Sequence, residues 1–181
     1  MEWFIPGTVL KADRAAAVDQ QFSAMFLGGG IVLSQVTGIT GLEAYTVQNW
    51  VKRGFLSPPE RKHYSLEQLC RIININMLKN VLPMERIVGL LSYINGDLDD
   101  ESDDIIGDSQ LYFMFVRLAA QSRMMNTPQG RDECIAKELA DYREPVPGAK
   151  ERVEKVLTIM LTAWASAQLR QAAEQMLQEL N

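Results

Sequence analysis

From Ile31 to Leu56 the chain reads I-V-L-S-Q-V-T-G-I-T-G-L-E-A-Y-T-V-Q-N-W-V-K-R-G-F-L, and this stretch decides the fold. Leu33, Val36 and Ile39 are apolar at helical spacing, and Gly41 breaks the pattern. A second helix is predicted over about Glu43 to Arg53, burying Ala44, Val47, Trp50 and Val51. It stops at Gly54, a residue suited to the left-handed position that follows a helix end. Two short helices joined by a glycine turn form a helix-turn-helix.

The outer face of the second helix is distinctive. Tyr45, Gln48, Asn49 and Lys52 stand at i, i+3, i+4 and i+7 and so line one stripe, which carries no acid. Gln and Asn can each offer a donor and an acceptor to the edge of adenine, while Lys52 or Arg53 can reach phosphate. An ordinary solvated helix surface has the same composition, so the neighbouring segments carry weight. Ser57 to Tyr64, S-P-P-E-R-K-H-Y, is too short and proline-bound for a helix and reads as a small projecting hairpin or loop, a wing, with Arg61, Lys62 and His63 exposed on it. Ser65-Leu66-Glu67-Gln68 then fits a capping box opening a helix to about Asn80, and Pro83 sits near the first turn of another, Met84 to Ile94.

Upstream, a helix is expected from Asp13, as N-cap, through Val18, Phe22 and Met25 until Gly28-Gly29-Gly30 ends it as a hinge. Those glycines are not a phosphate loop, because no G-x-x-x-x-G-K-[ST] pattern is present. Downstream, G-D-L-D-D-E-S-D-D-I-I-G-D over 96–108 holds seven carboxylates and no base. Its acids lack the alternating register of a calcium loop, and it reads as a solvated linker. The chain therefore divides into 1–95, the helix-turn-helix domain with its N-terminal helix; 96–108, the acidic linker; and 109–181, a helical dimerisation or sensing unit. In that last unit Leu111 to Ala119 is apolar on more than one face, T-P-Q-G at 127–130 reads as a turn, and a helix is expected near Arg131–Ala140. A long final helix carries an apolar stripe through Val153, Val156, Leu157, Met160, Leu161, Trp164, Leu169, Ala172, Met176 and Leu180. The stripe fits packing within the chain or a homodimer seam; a ligand pocket on Tyr112, Phe113, Phe115 and Trp164 is the lesser alternative. The fold class expected is all-α.

The 181 residues carry 18 Lys and Arg against 23 Asp and Glu, a formal net charge of −5 that as a whole-chain figure argues against nucleic acid. Charge is segregated, however. Residues 45–80 hold six bases (Lys52, Arg53, Arg61, Lys62, Arg71 and Lys79) and two acids, offset by the acidic run that follows. Cys70 and Cys134 have no partner at metal-ligand spacing, and the one histidine, His63, excludes a His-rich metal centre. No cofactor is expected, and no nucleophile, base and acid converge in an enzyme-like pattern. The start, M-E-W-F-I-P-G, has an acid where a signal peptide is basic, and polar residues and glycines interrupt the uncharged Gln20–Leu42 stretch. No membrane partner and a cytoplasmic location are expected.

The stretch from Leu33 to Leu56 resembles the winged helix-turn-helix domain of the MerR regulators. The match runs without a gap through Leu33, Val36, Thr37, Thr40, Gly41, Leu42, Thr46, Val47, Trp50, Gly54, Phe55 and Leu56, with Tyr64-Ser65 at the wing-to-helix junction. The piece from Asn49 to Leu91 is similar to uncharacterised bacterial proteins carrying a MerR-like fold. The family's arginine falls on Gln48, its first tyrosine on Asn49 and its glutamate on Val51, which leaves Lys52 and Arg53 to meet phosphate; the wing is several residues shorter. The resemblance implies a homodimer joined through a C-terminal helix and bound to double-stranded DNA as a sequence-specific transcriptional regulator. Tyr45, Thr46, Gln48, Asn49, Lys52, Arg53, Arg61, Lys62 and His63 would make the contacts. A small-molecule effector has no support in the residues. The alternative is a protein-interaction module that keeps the fold without DNA, docking partners through Trp50, Tyr45 and the acidic run.

Overall fold

The computed structural model describes residues 3–96, 98, 103–121 and 127–180, and it is mostly helical. The N-terminal segment forms a two-stranded antiparallel ribbon, β1 (Trp3–Phe4) with β2 (Lys11–Ala12), and then a 3-10 turn at Ala15–Ala17 that leads into α1 (Val18–Met25). Asp13 is not the N-cap. The chain reaches α1 through the Ala15–Ala17 turn, and Ala17 occupies the cap position with no side-chain hydrogen bond.

Next come β3 (Ile31–Val32), α2 (Leu33–Thr40), α3 (Ala44–Lys52), β4 (His63–Tyr64), α4 (Leu66–Leu78) and α5 (Met84–Asn95). β3 and β4 pair antiparallel in the register Ile31↔Tyr64 and Val32↔His63. Gly30 permits this closure, since a Cβ there would lie 2.7 Å from the Tyr64 carbonyl oxygen. The two short sheets are an addition to the all-helical expectation. The capping box of α4 is present: Gln68 N–H donates to Ser65 Oγ at 3.1 Å and Ser65 N–H to Gln68 Oε1 at 2.9 Å. Pro83 is the N-cap of α5.

Helices α6 (Asp108–Ala119), α7 (Pro128–Glu138) and α8 (Ala149–Gln178) complete the molecule. The T-P-Q-G stretch is the start of α7, not a separate turn: Thr127 Oγ1 accepts from Gly130 N–H at 3.1 Å, and Pro128 fills the first turn, where its missing N–H costs nothing. α6 packs most extensively on α4, and α8 lies against α5, α6 and α7. One hydrophobic core thus runs across the acidic stretch. The solvated-linker reading fails at its described end, where Ile105, Ile106 and Asp108 are buried. Asp97, Asp99, Asp100 and Glu101 lie outside the described residues.

The aromatic residues of α6 pack in the core, with Phe113 partly buried at its margin. Tyr112 is fully buried and donates its hydroxyl to the Pro6 carbonyl at 2.8 Å, and its ring stacks obliquely on Phe22 at 5.8 Å. Phe115 meets Trp164 edge-on. The stripe expected along the final helix divides: Val153, Val156, Leu157, Met160 and Leu161 are buried, whereas Leu169, Met176 and, just past the end of α8, Leu180 are exposed. Among the described residues no helix is long and apolar enough to cross a membrane.

Candidate nucleic-acid interface

The turn between α2 and α3 is built around Gly41. It adopts φ +70°, a Cβ on it would meet Val9 Cγ1 at 2.9 Å, and its N–H caps α2 by donating to Thr37 O at 2.8 Å. Thr40 closes the turn from the other side, its hydroxyl donating to Val36 O and accepting from Leu42 N–H. α3 follows two residues later, with Glu43 as N-cap and Gly54 at φ +72° past its end. Val47 and Trp50 anchor α3 in the core. Ala44, expected inside, is exposed, because the helix inserts with only one narrow stripe.

The opposite face stands in solvent. Tyr45, Gln48 and Lys52 are exposed and Thr46 and Asn49 half-buried, so the predicted stripe exists as a surface without a carboxylate. Arg53 is exposed but engaged: its guanidinium lies 4.5 Å from the Phe55 ring centroid and 3.7 Å from Glu85 Oε1. Such a surface pair is weak and can open for a stronger anion. Trp50, which the interaction-module alternative offered to partners, is only 4% exposed and cannot serve as a docking residue.

The segment expected as a wing is a tight hairpin. Glu60 and His63 pair across it, His63 N–H donating to Glu60 O at 2.8 Å, and Arg61 and Lys62 form the tip with φ of +48° and +70°. Two successive left-handed residues define the hairpin turn that favours Asn-Gly, and each non-glycine residue there costs about 1–2 kcal/mol. All three predicted wing residues, Arg61, Lys62 and His63, are exposed. α3 and β4 both pack on α2, which brings helix and wing to flanks of one element.

Gln68 does more than cap α4, a role not visible in spacing. Its Nε2 lies 3.0 Å from Ser57 O, Ser57 Oγ and Pro58 O, fixing the base of the wing to α4. Arg71, counted among the basic residues of the stretch, belongs to no surface. It is 3% exposed, its Nε donates to Phe55 O at 3.1 Å, and its Nη1 meets Asp108 Oδ2 at 3.2 Å. Burial pushes the Asp108 carboxyl up, and the Arg71 guanidinium draws it only part of the way back. Glu67 accepts from the N–H of Ser109 at 2.8 Å and from its hydroxyl, so α4 also holds the first turn of α6. Cys70 and Cys134 are buried free thiols; burial raises Cys70 well above the usual thiol range, with Glu67 and Asp108 adding to it. No cluster of three metal-ligating side chains occurs among the described residues.

Residues 30–115 match the model of a family described as a domain of unknown function, DUF1836. The matched span opens at Gly30, takes in β3, α2, α3, β4, α4 and α5, crosses the acidic stretch and ends inside α6. The chain is also similar to the uncharacterized protein YkrK of Bacillus subtilis (strain 168), with 31% identity over 86 residues. That alignment covers 45% of this chain and 37% of the relative, so little more than a third of the relative's length is spanned. No solved structure matches the chain.

Proposed function

We propose that this protein is a sequence-specific DNA-binding regulator of MerR-like winged helix-turn-helix type, acting as a homodimer. The observation that carries the reading is the pair of cations at the wing tip. Arg61 and Lys62 hold left-handed backbone conformations that glycine or asparagine would adopt at lower cost, and both are exposed, with no side-chain hydrogen bond or ion pair among the described residues. Two such residues, flanking the same helix as an acid-free face of Tyr45, Gln48, Asn49 and Lys52, suit a phosphate backbone on one side and base edges on the other.

Affinity calls for two copies. A protomer making about four phosphate contacts would bind nonspecifically near 10⁻⁴ to 10⁻⁶ M, and half-sites one helical turn apart would raise this to a useful range. The end of α8 offers the seam: Leu169 and Met176, seven positions apart on the helix, are 74% and 66% exposed, and Leu180 just past its end is 82% exposed.

Selection of bound fragments from random DNA by the purified full chain tests the reading, and an enriched palindrome is the expected result. Lys52→Glu should abolish the gel shift on that sequence, whereas Gln48→Ala and Asn49→Ala should relax sequence preference. Binding should weaken steeply with salt, by a slope of about 0.9 per phosphate contact on logarithmic axes. No enriched sequence, or gel shifts indifferent to all three substitutions, would overturn it.

A further inference from the structure

The chain between α3 and β4 is held from one patch of α4. Gln68 Nε2 reaches Ser57 and Pro58, and Arg71 Nε donates to the Phe55 carbonyl at 3.1 Å. The same patch holds the start of α6. That helix opens on Gly107, which has no side chain to cap it, and Glu67 supplies the cap from α4 by accepting the Ser109 N–H at 2.8 Å and the Ser109 hydroxyl. Arg71 stands three positions from Gln68 and four from Glu67 on one helix, so the three side chains are neighbours on its surface.

Arg71 touches both segments. Its guanidinium is planar and rigid, so Nε on Phe55 O and Nη1 on Asp108 Oδ2, 3.2 Å away, cannot shift independently. The network around it is only partly satisfied: Arg71 Nη2, Asn74 Oδ1 and Asp108 Oδ1 are buried and find no hydrogen-bond partner among the described residues. Such a network is costlier to keep than apolar contact, so α6 separates from α4 more readily here than along the rest of their shared core. Phe55 in turn carries the Arg53 guanidinium over its ring. We propose that the first turn of α6 controls the hairpin through Arg71: when Asp108 leaves Arg71, the Phe55 carbonyl is released and the segment from Phe55 to His63 opens. Arg71 is thus a positioning residue through which a change in the C-terminal helices reaches Arg53, Arg61 and Lys62. The link lies within the chain and stands whatever those residues bind.

The hairpin tip supplies its own reporter. The bonds after Arg61 and Lys62 are trypsin sites, and a chain must leave its tight turn and extend to be cut. Brief digestion of the full chain, with mass spectrometry of the products, compares cleavage at the tip with cleavage after Lys137, which is exposed in α7. Asp108→Asn keeps the shape of the side chain and removes its charge. It should speed cleavage at the tip about tenfold, the change in open population that one charge-assisted hydrogen bond controls, and leave cleavage after Lys137 unchanged. Ser109→Ala takes one hydroxyl from the start of α6 and should act selectively in the same direction, by a smaller factor, even where Asp108→Asn lowers the stability of the whole chain. Gln68→Ala, which frees Ser57 and Pro58 directly, calibrates full release of the hairpin base. Equal acceleration at both sites in Ser109→Ala would mean general loosening of the fold. Tip cleavage unmoved by Asp108→Asn and Ser109→Ala, with or without a response to Gln68→Ala, would mean that the hairpin is held without α6. Either result overturns the proposal.

Discussion

Helices α3 and α4 are near neighbours in the chain and opposites in the molecule. Nine of the thirteen residues of α4 are buried, including an arginine and an asparagine, whereas α3 buries Val47 and Trp50 of its nine. α4 is held by α2, α5, α6 and α8, and through Gln68 and Glu67 it fixes the wing on one side and the first turn of α6 on the other. α3 is held by one stripe on α2 and stands free on its other face. The difference teaches where the fold depends on its side chains: substitutions in α4 should be read in stability, and substitutions on the outer face of α3 should leave stability nearly unchanged.

The largest expected effect is in α4. Arg71→Met leaves the Asp108 carboxylate buried without its cation and should destabilise the protein by about 3–5 kcal/mol in urea denaturation. Burial already raises Asp108 with Arg71 in place, so its folded pKa lies above the unfolded value and rises further in the variant. Such a group favours folding when protonated. The deficit of Arg71→Met against the parent should therefore be smallest in acid and grow as pH rises through the folded pKa of Asp108. Replacing both partners, Arg71→Met with Asp108→Leu, should recover most of the loss, because the desolvation of the pair disappears with it. A single substitution that costs no more than a surface change would break the contrast between the two helices.

Helices α2 and α3, the turn at Gly41 and the capping box of α4 were legible in the residues, since glycine placement, apolar period and Ser65-x-x-Gln68 are local signals. What was not legible depends on distance. Arg71 reads as one more cation of a basic stretch because its acid, Asp108, is 37 positions away, in a run whose composition reads as solvent-exposed. α8 makes the same point. Val153 to Leu161 and Leu169 to Leu180 present the same apolar period, yet the first half is buried and the second is exposed; periodicity identifies a face and not whether the chain has anything to cover it. The wing residues were found by charge alone, and nothing in S-P-P-E-R-K-H-Y announces a left-handed turn at Arg61-Lys62, where local propensity is overridden.

A smaller effect is expected at the junction that presents α3. Gly41→Ala places a side chain at φ +70° and brings its Cβ to 2.9 Å from Val9 Cγ1. The left-handed backbone alone should cost about 1–2 kcal/mol, and relief of the contact moves Val9, whose N–H donates to Ile39 O at 2.9 Å. The variant should melt earlier yet keep its helical circular dichroism, since the side chains that α2 and α3 bury in the shared core, Val36, Ile39, Val47 and Trp50, are unchanged. An unchanged Tm would mean that the turn relaxes freely, and α3 would then be hinged rather than mounted.

The smallest effect on stability should fall on the outer face of α3. Gln48→Ala and Lys52→Ala remove exposed side chains that make no hydrogen bond or ion pair among the described residues. Each should change unfolding free energy by no more than about 0.5 kcal/mol, the ordinary range for surface sites, with alanine's helix propensity offsetting part of any loss. The informative outcome is a larger one. If either substitution destabilised the protein as much as Gly41→Ala, the face would be covered in solution, because an exposed side chain has no contact of that size to lose. Repeating the measurement across protein concentrations would then separate a second copy of the chain from any other cover, since only self-association makes the apparent stability rise with protomer concentration.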